Sequence, residues 1–388
     1  MIRNVKALTA SAYLSMFFLG VCVTVIGAAA RNIGLTPYQI GLLVAAQQVG
    51  FLLSVAVSGS LSDTYEKPKI VLVGSLLLGF SLLAFYQTDL FGINMLLMFL
   101  IGAGAGTYEG VTDAMLLDIH TRRQSLHINV NHFFVTFGAI MITVYLLFLQ
   151  MNWRQSVVQS GIVVLLLALF FGLSRLPARP KRAEGYLELL QGLARQRILI
   201  VLFIATVVAV GVEVSSISIL TTYLMDLRGF SQVTSKIGLI IFLSGMALGR
   251  LFLGFFTHRG QIARNILALF GLSFLFFAGL YLLDLGGLHY LAVFLAGISL
   301  SALLPLMITL AGLLYPDTAG MVLAIVKVAA GLGGILLPFL MSIAARAVSF
   351  QAALLLFPIA LLLAFVILFS ELRRVDFAQP VPALEAID

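Results

Sequence analysis

The sequence predicts an all-α integral membrane protein in which twelve transmembrane helices form two pseudo-symmetric six-helix bundles. Of the 388 residues, 61% are hydrophobic and 10% are charged, and the mean hydropathy is +1.11. Soluble domains carry about 25% charged residues, so this composition indicates a lipid environment. The apolar segments are roughly 20 residues long, which suits membrane-spanning helices and not the ~10-residue alternating strands of a membrane barrel.

Twelve apolar segments follow one another along the chain. Proline, glycine or charge marks most of the breaks, as in LTPYQ, SDTYEKPK and LYPDTAG. The first segment lacks the small-residue cleavage site of a signal peptide, so we expect it to be retained. Pro305 is expected to kink the tenth segment. The expected spans are 8–30, 38–60, 69–86, 92–117, 126–149, 155–174, 197–224, 232–256, 262–283, 288–315, 320–345 and 349–371.

The distribution of basic residues predicts that both termini are cytoplasmic. Under that assignment, 17 of the 23 Lys and Arg residues fall in cytoplasmic regions, five fall in outer loops, and Lys327 falls inside a helix. Cytoplasmic loops are enriched in Lys and Arg, so the asymmetry fixes the orientation. It also accounts for the net charge of +7 without a nucleic-acid partner.

An internal repeat predicts the domain organisation. GLTPYQIGLL (34–43) is similar to GFSQVTSKIGLI (229–240), with the first glycines 195 residues apart, and GSLSDTYEKPK (59–69) matches GFFTHRGQIAR (254–264) at the same offset. We therefore expect an N-terminal six-helix bundle (1–174), a cytoplasmic linker (175–196), a C-terminal bundle (197–374) and a cytoplasmic tail (375–388). Parallel repeats with a binding site at their interface are typical of secondary transporters.

These motifs resemble those of the major facilitator superfamily. GSLSDTYEKPK after the second helix is similar to the family's loop motif G-x-L-x-D-x-x-x-R/K-x-R/K, and GRLFLGFFTHRGQ (249–261) is similar to its degenerate copy after helix eight. VGVEVSSISILTTYL (210–224) and LHINVNHFFVTFGA (126–139) resemble the seventh and fifth helices of the fucose-permease-like sugar:proton symporter branch. The resemblance implies the major facilitator fold, with Asp63 and Arg250 as residues of a conformational latch.

The fucose permease has a Glu in its fourth helix, which GAGAGTYEGVTDAMLLD (102–118) resembles, and a second acid late in its first helix. The first helix here reads FFLGVCVTVIGAAARN and has no acid. When Gly20-Val-Cys22-Val-Thr24 is aligned with Gly211-Val-Glu213-Val-Ser215, Cys22 corresponds to Glu213, so the acid lies on helix seven instead. A two-acid proton relay of the permease type cannot be carried over whole.

Three carboxylates within the apolar segments are the candidate proton-coupling residues: Glu109, Asp113 and Glu213. A carboxylate at the bilayer centre costs at least ~2.5–3.5 kcal/mol, which favours a functional reason for its presence. Asp113 lies one turn from Glu109 and could share a proton with it, or could pair with Arg122 or Arg123. A structural acid bonded to a neighbouring helix is the alternative for each.

Other polar residues in the apolar segments are candidates for contact with a solute. Asn129 and His132 lie on one face of helix five, and the family resemblance favours Asn129 as a sugar-binding or interhelical residue. His132 is also explained as an interhelical donor. Lys327 could neutralise one of the acids or attract an anionic substrate. The proposed substrate-binding residues are Asn129, His132, Gln47, Gln48 and Lys327.

We therefore expect a secondary active transporter for a small polar solute, with a sugar as the leading candidate, driven by a proton gradient. Sodium coupling remains open, as do export of an amphipathic or cationic compound and lipid handling on the same fold. We find no phosphate-binding loop, dinucleotide-binding fingerprint or zinc-ligand spacing, and the single cysteine rules out a disulfide framework. We expect no enzyme activity, no cofactor, no metal, membrane lipid as a contact, and a monomer.

Overall fold

A computed structural model describes residues 4–62, 64–120, 124–148, 152–176, 196–257, 261–315 and 319–372. Within this part of the chain, twelve helices are long and apolar enough to cross a membrane, which confirms the all-α fold and the expected number of spans. The helices, numbered by span, are α1 (Val5–Ile33), α2 (Pro37–Ser62), α3 (Lys67–Ala84), α4 (Phe91–Ile119), α5 (Gln124–Phe148), α6 (Trp153–Leu173), α7 (Arg197–Arg228), α8 (Gln232–Phe256), α9 (Ile262–Leu282), α10a (His289–Ser301), α10b (Leu303–Leu314), α11 (Ala319–Ala347), α12a (Phe350–Leu354) and α12b (Leu356–Leu372).

The two glycines that the sequence repeat aligns share one backbone conformation, at the ends of α1 and α7. Gly34 follows α1 with φ +84° and Gly229 follows α7 with φ +69°. Both are left-handed conformations, which L side chains rarely adopt, and a side chain at either position would meet open space. Conformation, and not crowding, therefore explains glycine at these two repeat-related positions.

Prolines explain the two interrupted spans. The tenth span breaks at Ala302, three residues before Pro305, and the twelfth breaks at Leu355, three residues before Pro358. A proline lacks the N–H that would bond to the carbonyl four residues earlier, and its ring crowds that carbonyl. The expected kink at Pro305 is thus a complete break between two helices. Pro338 lies inside α11 without ending it.

The chain divides into two compact units, and α7 contributes to both. The first unit contains the described residues up to 176 together with Ile217–Ile240, and the second contains 196–216 and the described residues from Ile241 onward. In the first unit α2 packs on α4, α1 packs on α5, and α3 lies against α4 and α6. In the second unit α9 packs on α12b and α10a, and α10b packs on α11. The expected linker falls largely outside the described residues.

The C-terminal end of α1 contacts α7 and α8 within the first unit. Arg31 Nη1 lies 3.2 Å from Asp226 Oδ1, and the Thr221 hydroxyl donates to the Gly27 carbonyl. Lys236 Nζ donates to Asn32 Oδ1 at 3.0 Å, although Lys236 is only 2% exposed. A buried ammonium normally has a charged partner, so its pairing with an amide oxygen is unusual.

Candidate functional site

The first cluster of polar side chains joins α4 to α5 around Asp113. Asn131 Nδ2 donates to Asp113 Oδ1 at 2.8 Å, and His132 Nε2 lies 2.9 Å from Asp113 Oδ2. The side chain of Asp113 is 19% exposed and that of His132 is 42% exposed. A carboxylate bonded to an imidazole can take up a proton and hold it between the two groups. Glu109 lies one helical turn away on α4 and is half-buried.

Asn131 fixes the position of this carboxylate. It is fully buried, and its Nδ2 also reaches Thr112 Oγ1 at 3.0 Å. Because Thr112 donates its hydroxyl proton to the Tyr108 carbonyl at 2.8 Å, its oxygen can accept the bond from Asn131. Asp113 is therefore held from α5 by an amide as well as by the imidazole. Arg122 and Arg123, the other expected partners of Asp113, lie outside the described residues.

The second cluster contains Glu213, and its charged partner is Arg250. Arg250 Nη2 donates to Glu213 Oε1 at 2.7 Å, and Arg250 Nε donates to the Ser301 carbonyl at 3.1 Å. The side chains of Glu213 and Arg250 are 16% and 33% exposed. One guanidinium thus joins α7, α8 and α10a. Ion pairs removed from water keep their charges only with such additional hydrogen bonds.

The remaining residues singled out from the sequence are dispersed. Gln47 is buried and donates from Nε2 to the Cys22 carbonyl at 2.8 Å, so it joins α2 to α1, and Gln48 is buried beside it. Lys327 is exposed on α11. Asp63 and the side chain of Asn129 lie outside the described residues.

Sequence reasoning missed two features of these clusters. It favours Asn129 over Asn131, although Asn131 neighbours His132 and so can approach Asp113 from the same turn. It assigns Arg250 only to the loop motif, whereas the structure pairs this residue with Glu213. The signal for the second was present, since Arg250 belongs to an apolar helix, where a cation normally has an acid as its partner.

A pair of histidines lies where α4 ends and α5 begins. The rings of His120 and His127 stack with their centroids 3.6 Å apart. His120 Nε2 lies 2.7 Å from Thr9 Oγ1, and His127 Nδ1 lies 2.7 Å from Tyr13 Oη, so each ring also contacts α1. Burial, and then the neighbouring His127, lower the pKa of His120. The arrangement therefore favours a neutral ring at His120.

An apolar groove of about 510 Å³ lies between α3 and α4, where Val73, Phe80 and Leu97 are among the lining residues. Among the described residues, Ser81 is the only one that brings a polar side chain to this lining. The groove offers hydrocarbon contacts and almost no hydrogen bonds, so it does not suit a polar solute. Hydrogen-bonding side chains come together instead around Asp113 and around Glu213.

Comparison with known proteins places this architecture in a family. Residues 8–292 match the model of the Major Facilitator Superfamily. A mutant of the nucleoside transporter NupG is similar in structure, with a TM-score of 0.80, 14% identity and coverage of 95% of this chain and 99% of that one. A bacterial homologue of the human lysosomal transporter Spinster has a TM-score of 0.76, 15% identity and coverage of 97% and 98%.

A D-xylose–proton symporter has a TM-score of 0.74 and 14% identity, with coverage of 94% of this chain and 97% of the symporter. No curated protein matches the sequence. Identities this low show the shared fold alone, and they do not distinguish the fucose-permease-like branch from its neighbours. The family model covers well over half of the 388 residues. The chain therefore belongs to the major facilitator superfamily.

Proposed function

We propose that this protein is a proton-coupled secondary transporter that moves a small hydroxyl-bearing solute, with a sugar as the first candidate, by alternating access. The observation that carries the proposal is the Asp113–His132 pair inside the α4–α5 contact, one turn from Glu109. A titratable pair within membrane-spanning helices is what coupling to a proton gradient requires. Glu213 is the corresponding acid of the second unit.

Support for a sugar comes from the fifth- and seventh-helix motifs, which resemble the fucose-permease-like branch. Two structurally similar transporters are named for D-xylose and for nucleosides, both of which carry hydroxyl groups. Uptake in symport with protons is the direction that this resemblance implies. The basic residues support a location in the cell membrane with both termini in the cytoplasm.

Gradient-driven uptake in proteoliposomes tests the proposal. A panel of radiolabelled monosaccharides is offered with an inward proton gradient and, separately, an inward sodium gradient. We expect a proton gradient to concentrate at least one sugar. Glu109→Gln, Asp113→Asn and Glu213→Gln are compared with Asp284→Asn, which replaces an exposed acid between α9 and α10a. At least one of the three variants of embedded acids should lose accumulation but retain exchange of labelled for unlabelled sugar at equal pH.

The same panel contains the results that would overturn the proposal. If the variants of Glu109, Asp113 and Glu213 all accumulate sugar as well as Asp284→Asn does, none of these acids couples transport to protons. If sugar accumulates with the sodium gradient and not with the proton gradient, the coupling ion is sodium. If no sugar is transported, export of lipophilic cations from loaded vesicles and translocation of labelled lipid test the two alternative functions expected from the sequence.

A further inference from the structure

The break in the tenth span exposes a backbone acceptor beside the Glu213–Arg250 ion pair. In a continuous helix, the N–H of residue 305 would bond to the carbonyl of Ser301. Pro305 has no N–H, so that bond cannot form. Helical bonding resumes one residue later, where Leu306 N donates to the Ala302 carbonyl at 3.0 Å. The Ser301 carbonyl is thus left without its helical donor.

Arg250 supplies the replacement donor. Its Nε bonds to the Ser301 carbonyl at 3.1 Å while Nη2 bonds to Glu213 at 2.7 Å. Because the guanidinium is planar and rigid, a bond at Nε fixes the direction in which Nη2 points. The carbonyl therefore orients the cation toward the acid.

Gly249 allows the two helices to come close enough for this contact. A Cβ atom at position 249 would lie 2.2 Å from Ser301 Oγ and 3.0 Å from the Ile298 carbonyl oxygen. Only glycine fits such an approach without a shift of α8 or α10a. Because α8 and α10a approach each other so closely at Gly249, the Nε atom of Arg250 reaches the Ser301 carbonyl.

We propose that Pro305 is a positioning residue for proton coupling: by removing its own N–H, it reserves the Ser301 carbonyl for Arg250 and so holds the guanidinium on Glu213. This inference rests on the proposed function, in which Glu213 participates in coupling. Pro305 itself is exposed. Among the described residues, the ion-pair partner of Glu213 is Arg250 on α8. A second basic residue, Lys327, belongs to α11, the helix that approaches α7 at Gly333.

Pro305→Ala is the direct test, because it restores an N–H that competes with Arg250 for the Ser301 carbonyl. We expect the pH profile of sugar uptake to move to higher pH, since a carboxylate held less firmly by its cation is protonated more readily. Arg250→Lys, which lacks the fork of donors, should shift the profile in the same direction. Pro358→Ala is the matched control, because it removes the proline of the other interrupted span, far along the chain from the ion pair.

A double-mutant cycle separates positioning from a general effect on the helix. If Pro305 acts through Arg250, Pro305→Ala adds no further shift in the Arg250→Lys background. Additive shifts, or equal profiles for Pro305→Ala and Pro358→Ala, would overturn the inference. Thermal unfolding of the purified variants over the same pH range supplies a readout without substrate, in which Pro305→Ala should move the same pH-dependent component that Glu213→Gln removes.

The experiment distinguishes failure of this inference from failure of the proposed function. If Glu213→Gln keeps full gradient-driven accumulation and its unfolding has the pH dependence of the parent protein, Glu213 is not a coupling site and the inference falls with it. If Glu213→Gln loses coupling while Pro305→Ala behaves as the parent protein does, the proposed function stands and only the role of Pro305 is wrong.

Discussion

Asn94 shows how one buried polar residue can organise a connection between membrane helices. It is fully buried near the start of α4. Its Oδ1 accepts from the backbone N–H of Tyr86 at 2.7 Å, and its Nδ2 donates to the Thr88 carbonyl at 2.7 Å and to the Leu90 carbonyl at 3.2 Å. Tyr86 has φ +53°, the left-handed region that a bulky residue rarely adopts. Asn94 therefore secures a strained turn between α3 and α4.

Asn94→Ala should destabilise the protein by on the order of 1–3 kcal/mol, because it leaves the buried backbone N–H of Tyr86 without its acceptor and removes the donor to the Thr88 carbonyl. The midpoint of thermal unfolding in detergent measures the loss. Gln87→Ala, at an exposed position in the same connection, should be neutral, and an equal loss there would contradict the argument.

At the scale of single residues, the sequence identified the acids but not the groups that hold them. Glu109, Asp113 and Glu213 stand out because a charge in an apolar helix is costly. The partners of Asp113 and Glu213 come from other helices, namely Asn131, His132 and Arg250, and hydropathy says nothing about which helix faces meet. Lys236 counts among the loop charges in the sequence, yet it is buried against Asn32. Its position near the start of α8 does not predict this burial.

At the scale of elements, the His120–His127 stack joins the end of α4 to the start of α5. Burial and the second imidazole lower the pKa of His120, so the folded protein favours the neutral ring while the unfolded chain protonates near its ordinary value, about 6.5. The stabilisation from His120 is present above about pH 6.5 and is lost as pH falls through the lowered pKa. Acid should therefore weaken the packing of the end of α4 against the start of α5.

His120→Asn should flatten the fall in the unfolding midpoint between about pH 7 and about pH 5, because it removes the group that must take up a proton. Tyr13→Phe is the companion variant, since it removes the hydroxyl that contacts His127 but keeps both imidazoles. It should keep the slope of the parent protein. A slope unchanged in His120→Asn would show that this ring does not control the acid sensitivity.

Helix number and type were predictable because membrane spans need a long apolar run, whereas the detail of the breaks was not. The twelve spans are predicted by hydropathy, and the repeat aligns Gly34 with Gly229, which share a left-handed conformation. Pro305 and Pro338 look alike in the sequence, yet one ends a helix and the other lies inside α11. At Pro305 the freed carbonyl accepts a bond from Arg250, and such tertiary contacts cannot be read from the sequence.

At the scale of the whole molecule, alternating access would require the C-terminal end of α1 to separate from α7 in each cycle. The contacts that join them include the Arg31–Asp226 ion pair. If Arg31 and Asp226 are both replaced by cysteine and joined with a cleavable bifunctional thiol reagent, we expect sugar uptake to stop and to return after cleavage. The native Cys22 is buried, so each single-cysteine variant should keep its uptake after the same treatment. Full uptake in the cross-linked protein would exclude this separation from the cycle.

Part of α7 belongs to the first compact unit, so the first six helices do not make up that unit by themselves. A fragment that ends at residue 174 would contain six complete helices, yet it would lack Thr221, Asp226 and Lys236, which cover the end of α1. Such a fragment would leave Asn32 and the Gly27 carbonyl without these donors. We therefore expect the two halves, when they are expressed separately, to fold fully only in each other's presence, because the second half supplies these contacts to the first.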